Sequence, residues 1–269
     1  MKRFHKEQGP LPLTLEVAHQ LSAAIKEARL SLFMQAHESL TPAHFLIPNP
    51  DVDGPEDRGW TPLHDAAKDR EALRLLADSP FSPLRDGARF SAADFLTQTG
   101  ASARPIHAAA VHGNLARVAA LLPAGQQGFT MEQLLATSIT GRTVLHYTGS
   151  SLGDYASCAA VLRAVGEGFS AAPFLQPCRM FKRTALHEAE QHCHLESLFA
   201  PELWAGGVAE MAELARHVSE EGRQQSDLDR LLHAAALLSR RRVSPELFRA
   251  AARAEMPLPT AQGREREGR

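Results

Sequence analysis

"GWTPLHDAA", residues 59–67, contains a four-residue string, Thr61-Pro62-Leu63-His64, that returns down the chain. It comes back as "RPIH" at 104–107, "TVLH" at 143–146 and "TALH" at 184–187, so His64, His107, His146 and His187 are separated by 43, 39 and 41 residues. Nearly even steps of this size are the signature of a repeat architecture, in which one supersecondary unit is copied along the chain. Each string leads into small residues or a helix-compatible run, and Pro62 and Pro105 fall where a helix start loses no hydrogen bond to proline.

A second motif recurs in phase: "SLTPAHFL" at 39–46, "RFSAADFL" at 89–96, "GFTMEQLL" at 128–135 and "GFSAAPFL" at 168–175. Thr41, Ser91, Thr130 and Ser170 each stand where a hydroxyl caps the first turn of a short helix. Asp94 and Gln133, three residues on, complete a reciprocal capping arrangement. The polar insert "DVDGPED" lengthens the first unit. A second amphipathic helix closes each unit. "NLARVAALL" at 114–122 is its clearest copy, with Leu115, Val118, Ala119 and Leu122 on one face, and "EALRLLADS" and "SCAAVLRAV" take the same place in neighbouring units. Such hairpins cannot bury their apolar faces alone, so stacking on the next unit is required. The expectation is an all-α fold, a solenoid of stacked helical hairpins.

These strings resemble the ankyrin repeat, whose signature carries T-P-L-H-x-A at a usual period of about 33 residues. The likeness is closest over 59–122, weaker over 128–200, and suggestive at the ends. The longer period resembles divergent bacterial forms, the extra short helix supplying the added length. The resemblance implies that Thr61, Thr143 and Thr184 bond to His64, His146 and His187 and brace adjacent units. Leu63, Ile106, Leu145 and Leu186 would point into the stack. Arg104 stands where the second unit lacks the threonine, and Thr148 and Gly149 replace an alanine pair, which predicts a weak or bent third unit.

The expected organisation is a helical cap over 1–38, four ankyrin-like repeats over 39–200, a degenerate repeat with a C-terminal cap over 201–256, and a disordered polar tail over 257–269. "LFAPELW" at 198–204 echoes the short capped helix, and Leu232-His233-Ala234-Ala235 echoes the main motif. Three cysteines, an odd number without motif spacing, read as free thiols rather than a disulfide scaffold. With a formal net charge of −2 there is no global basic footprint for nucleic acid. The N-terminus lacks an apolar leader core, and no run of 18 apolar residues occurs. These features predict a cytoplasmic monomer with no nucleic-acid or membrane partner; signal-less secretion by a specialised bacterial system is the alternative.

The function expected of such a fold is non-catalytic binding of another protein through a concave face, with no cofactor. Variable positions around the motif would form it: Trp60, Arg142 and Arg183 before the string, Asp65, Tyr147 and Glu188 after its histidine, and Lys68 one turn on. Trp, Tyr and Arg are the residue types that dominate interface energetics. A bacterial effector that captures a host protein is one alternative use. From a different class comes a metal- or thiol-dependent enzyme centred on His192 and Cys193, in "TALHEAEQHCHLESL" at 184–198. Alignment within the chain weakens it, because "CHLE" at 193–196 falls where the second unit has the turn "GNLA" at 113–116. Neither metal ligands nor a catalytic residue are therefore assigned.

Overall fold

The computed structural model of the chain describes residues 11–48, 59–80, 82–84, 87–98, 103–200, 203–204 and 208–218. The expected degenerate motif at 232–235, the tail and most of the 201–256 cap lie outside them. The described residues are helical, with no strand and a single isolated bridge between Phe169 and Trp204. Their helices are α1 (Leu15–Lys26), α2 (Leu30–Ala36), α3 (Pro62–Lys68), α4 (Arg70–Asp78), α5 (Ala92–Leu96), α6 (Pro105–Val111), α7 (Leu115–Ala120), α8 (Met131–Leu134), α9 (Val144–Gly149), α10 (Tyr155–Arg163), α11 (Ala185–Gln191), α12 (Leu195–Leu198) and α13 (Val208–Ala215). Short 3₁₀ turns occupy Pro42–Leu46 and Ala172–Leu175.

Packing sorts these helices into two files. In one, α1 packs on α3, α3 on α6, α6 on α9 and α9 on α11. In the other, α2 packs on α4, α4 on α7, α7 on α10 and α10 on α12. Each helix of the first file pairs with its successor in the second, so α1 and α2 already form the first hairpin of the series. Leu63, Ile106, Leu145 and Leu186 are buried between the files, as are Leu115, Val118, Ala119 and Leu122. Helices of seven residues are too short to be stable in isolation, so this burial stabilises them.

The repeated histidines join one unit to the next. In the first, third and fourth motifs the threonine hydroxyl lies 2.8 Å from the histidine Nδ1. The backbone N–H of Thr61 donates to the same atom at 3.1 Å, and those of Thr143 and Thr184 do likewise. An Nδ1 that accepts leaves the proton on Nε2. That Nε2 donates forward: His64 to the carbonyl of Ala103 (3.1 Å), His107 to Ala136 (2.8 Å) and His146 to Arg183 (3.1 Å). Arg104 has no hydroxyl, yet its backbone N–H still reaches His107 Nδ1 at 3.1 Å. Its guanidinium caps two carbonyls instead, those of Leu96 and Thr137. Thr41 and His44 repeat the arrangement in the first short turn, with His44 Nε2 3.2 Å from the carbonyl of Leu11.

The short capped elements carry the aromatic part of the core. Ser91 with Asp94, and Thr130 with Gln133, form the expected reciprocal caps. Ser170 does not cap its turn. Pro173, three residues on, has no N–H to offer, and the Glu210 carboxylate takes the N–H of Ala171 instead. Phe90, Phe95 and Phe129 form a run of edge-to-face contacts that Phe45 extends at one end. Phe169 meets Phe174 and Trp204 edge to face, and those two rings lie tilted against each other. The N–H of Phe129 donates to the carbonyl of Val161, at the end of α10, and that of Phe169 donates to Leu203. Leu203 thus takes the place that Val161 holds one unit earlier.

Gly149 has a reason that its helix propensity hides. A Cβ there would stand 2.7 Å from the Tyr155 hydroxyl and 3.1 Å from both the Ala185 carbonyl and the Ala189 amide. Tyr155 is fully buried, and its hydroxyl has no hydrogen-bond partner among the described residues. The glycine clears room for a large ring between α9 and α11. It is a packing requirement rather than the weak point its helix propensity suggests.

Two measurements follow from this packing. Gly149→Ala is expected to destabilise the fold by about 1–3 kcal/mol, overcoming the roughly 1 kcal/mol that alanine gains in a helix. The cost should shrink in a Tyr155→Phe background, and equal costs in both backgrounds would show that the hydroxyl is not the obstacle. The second concerns pH. Burial pushes His64 down to about 4 and His107 down to about 3, and lowers His146 as well. A folded-state value below the unfolded one means that the unfolded chain takes up protons the native chain refuses. Stability is therefore complete above about pH 6.5 and is lost as pH falls from there toward 4, at up to about 1.4 kcal/mol per pH unit for each such histidine. Denaturant titrations from pH 7 to 4 should show this slope, and His107→Gln should reduce it by one proton's worth.

Candidate functional site

The seven positions expected to meet a partner do not form one exposed surface. Trp60, Asp65 and Glu188 are buried, at 7%, 5% and 4% exposure. Lys68 and Arg183 are exposed, while Arg142 and Tyr147 are half-buried. The sequence indicates which face these residues share, but not how closely each lies under its neighbour.

They sort into two networks and an outlier. In the first, the Trp60 indole N–H donates to Asp65 Oδ1 at 3.0 Å, and the ring leans on His64 with centroids 4.4 Å apart. Lys68 Nζ lies 4.1 Å above the indole, a cation–π contact. Lys26 reaches across from α1 to Asp65 Oδ2 at 3.7 Å. Burial raises the Asp65 carboxyl above its ordinary range, opposed by Lys26, Ser22, Trp60 and Lys68. In the second, the Arg142 guanidinium lies 4.7 Å from the centre of the Tyr147 ring and 3.4 Å from Glu188 Oε2 on α11. Tyr147 in turn packs on His107 of α6, centroids 4.9 Å apart. Arg183 belongs to neither network; its guanidinium bonds to Gln191.

Each network therefore has a buried carboxylate as its base and a cation laid over an aromatic ring as its top. Both cross from one helix of the first file to the next. Lys26 and His192 are members that the motif spacing does not reveal. Lys26 belongs to α1, and His192 reaches Glu188 only at 3.9 Å. The link of Lys26 is made by packing between helices, whereas His192 stands one helical turn after Glu188, a spacing local in sequence.

The cluster at 187–194 has other commitments. His187 Nδ1 is taken up by Thr184, and His194 Nε2 lies 2.7 Å from the Ser151 carbonyl in the preceding unit. Asn114 performs the same task two units earlier, its amide donating to the carbonyls of Ala67 and Lys68 at 3.0 Å each. Among the described residues, no group of three or more His, Cys, Asp or Glu side chains converges as metal ligands would. Cys158 is fully buried beside the Thr148 hydroxyl at 3.3 Å, and burial pushes its thiol up to about 12, so it stays protonated.

Cys193 is the residue out of place. Its φ is +59°, where Gly113 and Gly153 at the matching turns have +64° and +62°. A side chain in this left-handed conformation carries a steric penalty that glycine escapes. Cys193→Gly should raise stability by about 0.5–1 kcal/mol, read as a higher denaturant midpoint at unchanged slope. A midpoint that fell would show that the thiol makes a stabilising contact outweighing the strain. A scan against protein-family models and a search of the curated proteins find no match for this chain, so its reading rests on the residues themselves.

Proposed function

We propose that the chain is an ankyrin-like α-solenoid that binds a partner protein through the exposed edge of its first file of helices. The four motif histidines at three nearly even steps, three of them bonded forward, and the two files of paired helices support that architecture. So does the first hairpin, α1 with α2, which occupies the place of an N-terminal cap. The observation that carries the binding reading is the pair of cation–aromatic stacks, Lys68 on Trp60 and Arg142 on Tyr147.

In each stack a buried carboxylate fixes one member: Asp65 holds the Trp60 indole, and Glu188 holds the Arg142 guanidinium. Side chains fixed in this way lose little entropy when a partner arrives. Lys68, Arg142, Tyr147 and Arg183 offer the accessible contacts, whereas Trp60, Asp65 and Glu188 act from beneath as supports. The recognised chemistry is that of an acidic segment with carbonyl or aromatic groups able to pack on Tyr147. The mechanism is capture by a preorganised surface, with no bond made or broken.

Affinity capture followed by cross-linking tests this. Lys68→Glu with Arg183→Glu, both at exposed positions, should lower partner recovery about tenfold or more at an unchanged melting temperature. Trp60→Ala is the wrong probe, because it would remove a buried ring and destabilise the fold. Full recovery by the folded double variant would overturn the assignment of this edge.

A further inference from the structure

The turns that join successive units carry a feature that the first file does not use. Residues 178–183 form a reverse turn closed by Cys178 N–H to the Arg183 carbonyl (2.7 Å) and Lys182 N–H to the Cys178 carbonyl (3.2 Å). Cys178 is buried beneath it. Arg179, Met180, Phe181 and Lys182 all stand exposed, with Met180 at 60% and Phe181 at 56%. The turn is not loose: Met180 N–H donates to the Thr140 carbonyl of the preceding turn at 3.0 Å. Gly141 lies so close that a Cβ there would meet Arg179 at 2.4 Å. That preceding turn, closed by Ser138 and Arg142, exposes Ile139 at 56%. Two stacked turns thus place three large apolar side chains in water, at the part of the surface where folding gains least from them.

Charge surrounds this apolar tip on one side only. Arg179, Lys182 and Arg183 fall within five positions, and neither 137–143 nor 178–184 contains an acid. Among the described residues none of the three makes an ion pair; Arg183 bonds to the neutral Gln191 amide. This local excess of cations sits in a chain whose formal net charge is −2.

We propose that this double turn docks on an anionic lipid surface, Met180, Phe181 and Ile139 entering the headgroup layer while Arg179, Lys182 and Arg183 meet lipid phosphates and carboxylates. An apolar centre flanked by basic side chains is the arrangement that interfacial segments use. A turn tip has no concave lining of its own, so whatever covers it must supply the shape. A fluid bilayer does so without a matched pocket, and its negative surface potential complements the unpaired cations. The contact is peripheral and shares only Arg183 with the helical edge discussed above. It also departs from the expectation of no membrane partner, which rested on the absence of a spanning segment.

Sedimentation of the full chain with vesicles tests it, using phosphatidylserine and phosphatidylcholine in roughly a 1:2 ratio against phosphatidylcholine alone. Binding is expected to the first and not the second, and to weaken as salt rises from about 0.05 to 0.5 M. Met180→Ser with Phe181→Ser should lower partitioning at least about tenfold, and Arg179→Gln with Lys182→Gln should remove the preference for anionic lipid. Leu152→Ser, at an equally exposed leucine elsewhere, should change nothing. All these sites are exposed, and circular dichroism confirms that each variant folds. Failure of the wild-type chain to sediment with anionic vesicles overturns the proposal and leaves the tip as a protein contact, as does equal binding by the Met180/Phe181 variant.

Discussion

A neutral imidazole shared between two units is the constraint on which this structure depends. Its Nδ1 completes the first turn of its own helix, and its Nε2–H reaches the backbone of the next unit. The ring must be uncharged to perform both tasks, since a protonated imidazole has no acceptor to offer. It must also be buried, since water would compete for both bonds. Those two requirements fix the tautomer, the low proton affinity and the distance between units together. They also explain why Arg104 is tolerated in place of threonine: the backbone N–H makes the cap bond, and only the hydroxyl is lost.

Around this link, polar groups near the short elements are satisfied by neighbours about one unit away. Glu167 takes the N–H of Met131, and Glu210 takes that of Ala171. Asn114 and His194 reach back to the ends of earlier inner helices. Buried backbone donors and acceptors must be paired, and here the adjoining unit supplies many of the partners. An isolated unit would leave them open, which accounts for the repetition as directly as the apolar faces do.

Much of this was legible because the chain repeats itself. The T-x-L-H strings, the Ser91 and Thr130 caps and the Leu115–Leu122 face each appear in a pattern that the structure keeps. Legibility failed where a side chain answers to another unit. Trp60, Asp65 and Glu188 look like surface residues beside a motif, yet all three are buried, and Lys26 and Arg142 reach the two carboxylates from neighbouring elements. Gly149 looks like a defect until Tyr155 is seen to need the space. Ser170 matches the cap pattern, but Pro173 withdraws the donor that the pattern assumes. The candidate binding edge was half legible for the same reason: spacing indicated its face, and packing decided which members reach water.

The direction of the histidine bonds carries a consequence for how the chain is made. His64 waits for Ala103, His107 for Ala136 and His146 for Arg183, always a partner still to be synthesised. A growing chain therefore holds an unfinished imidazole at its leading unit, and closes it only when the next stretch of 29–39 residues has emerged. Each further unit thus supplies the acceptor that seals the imidazole of the one before.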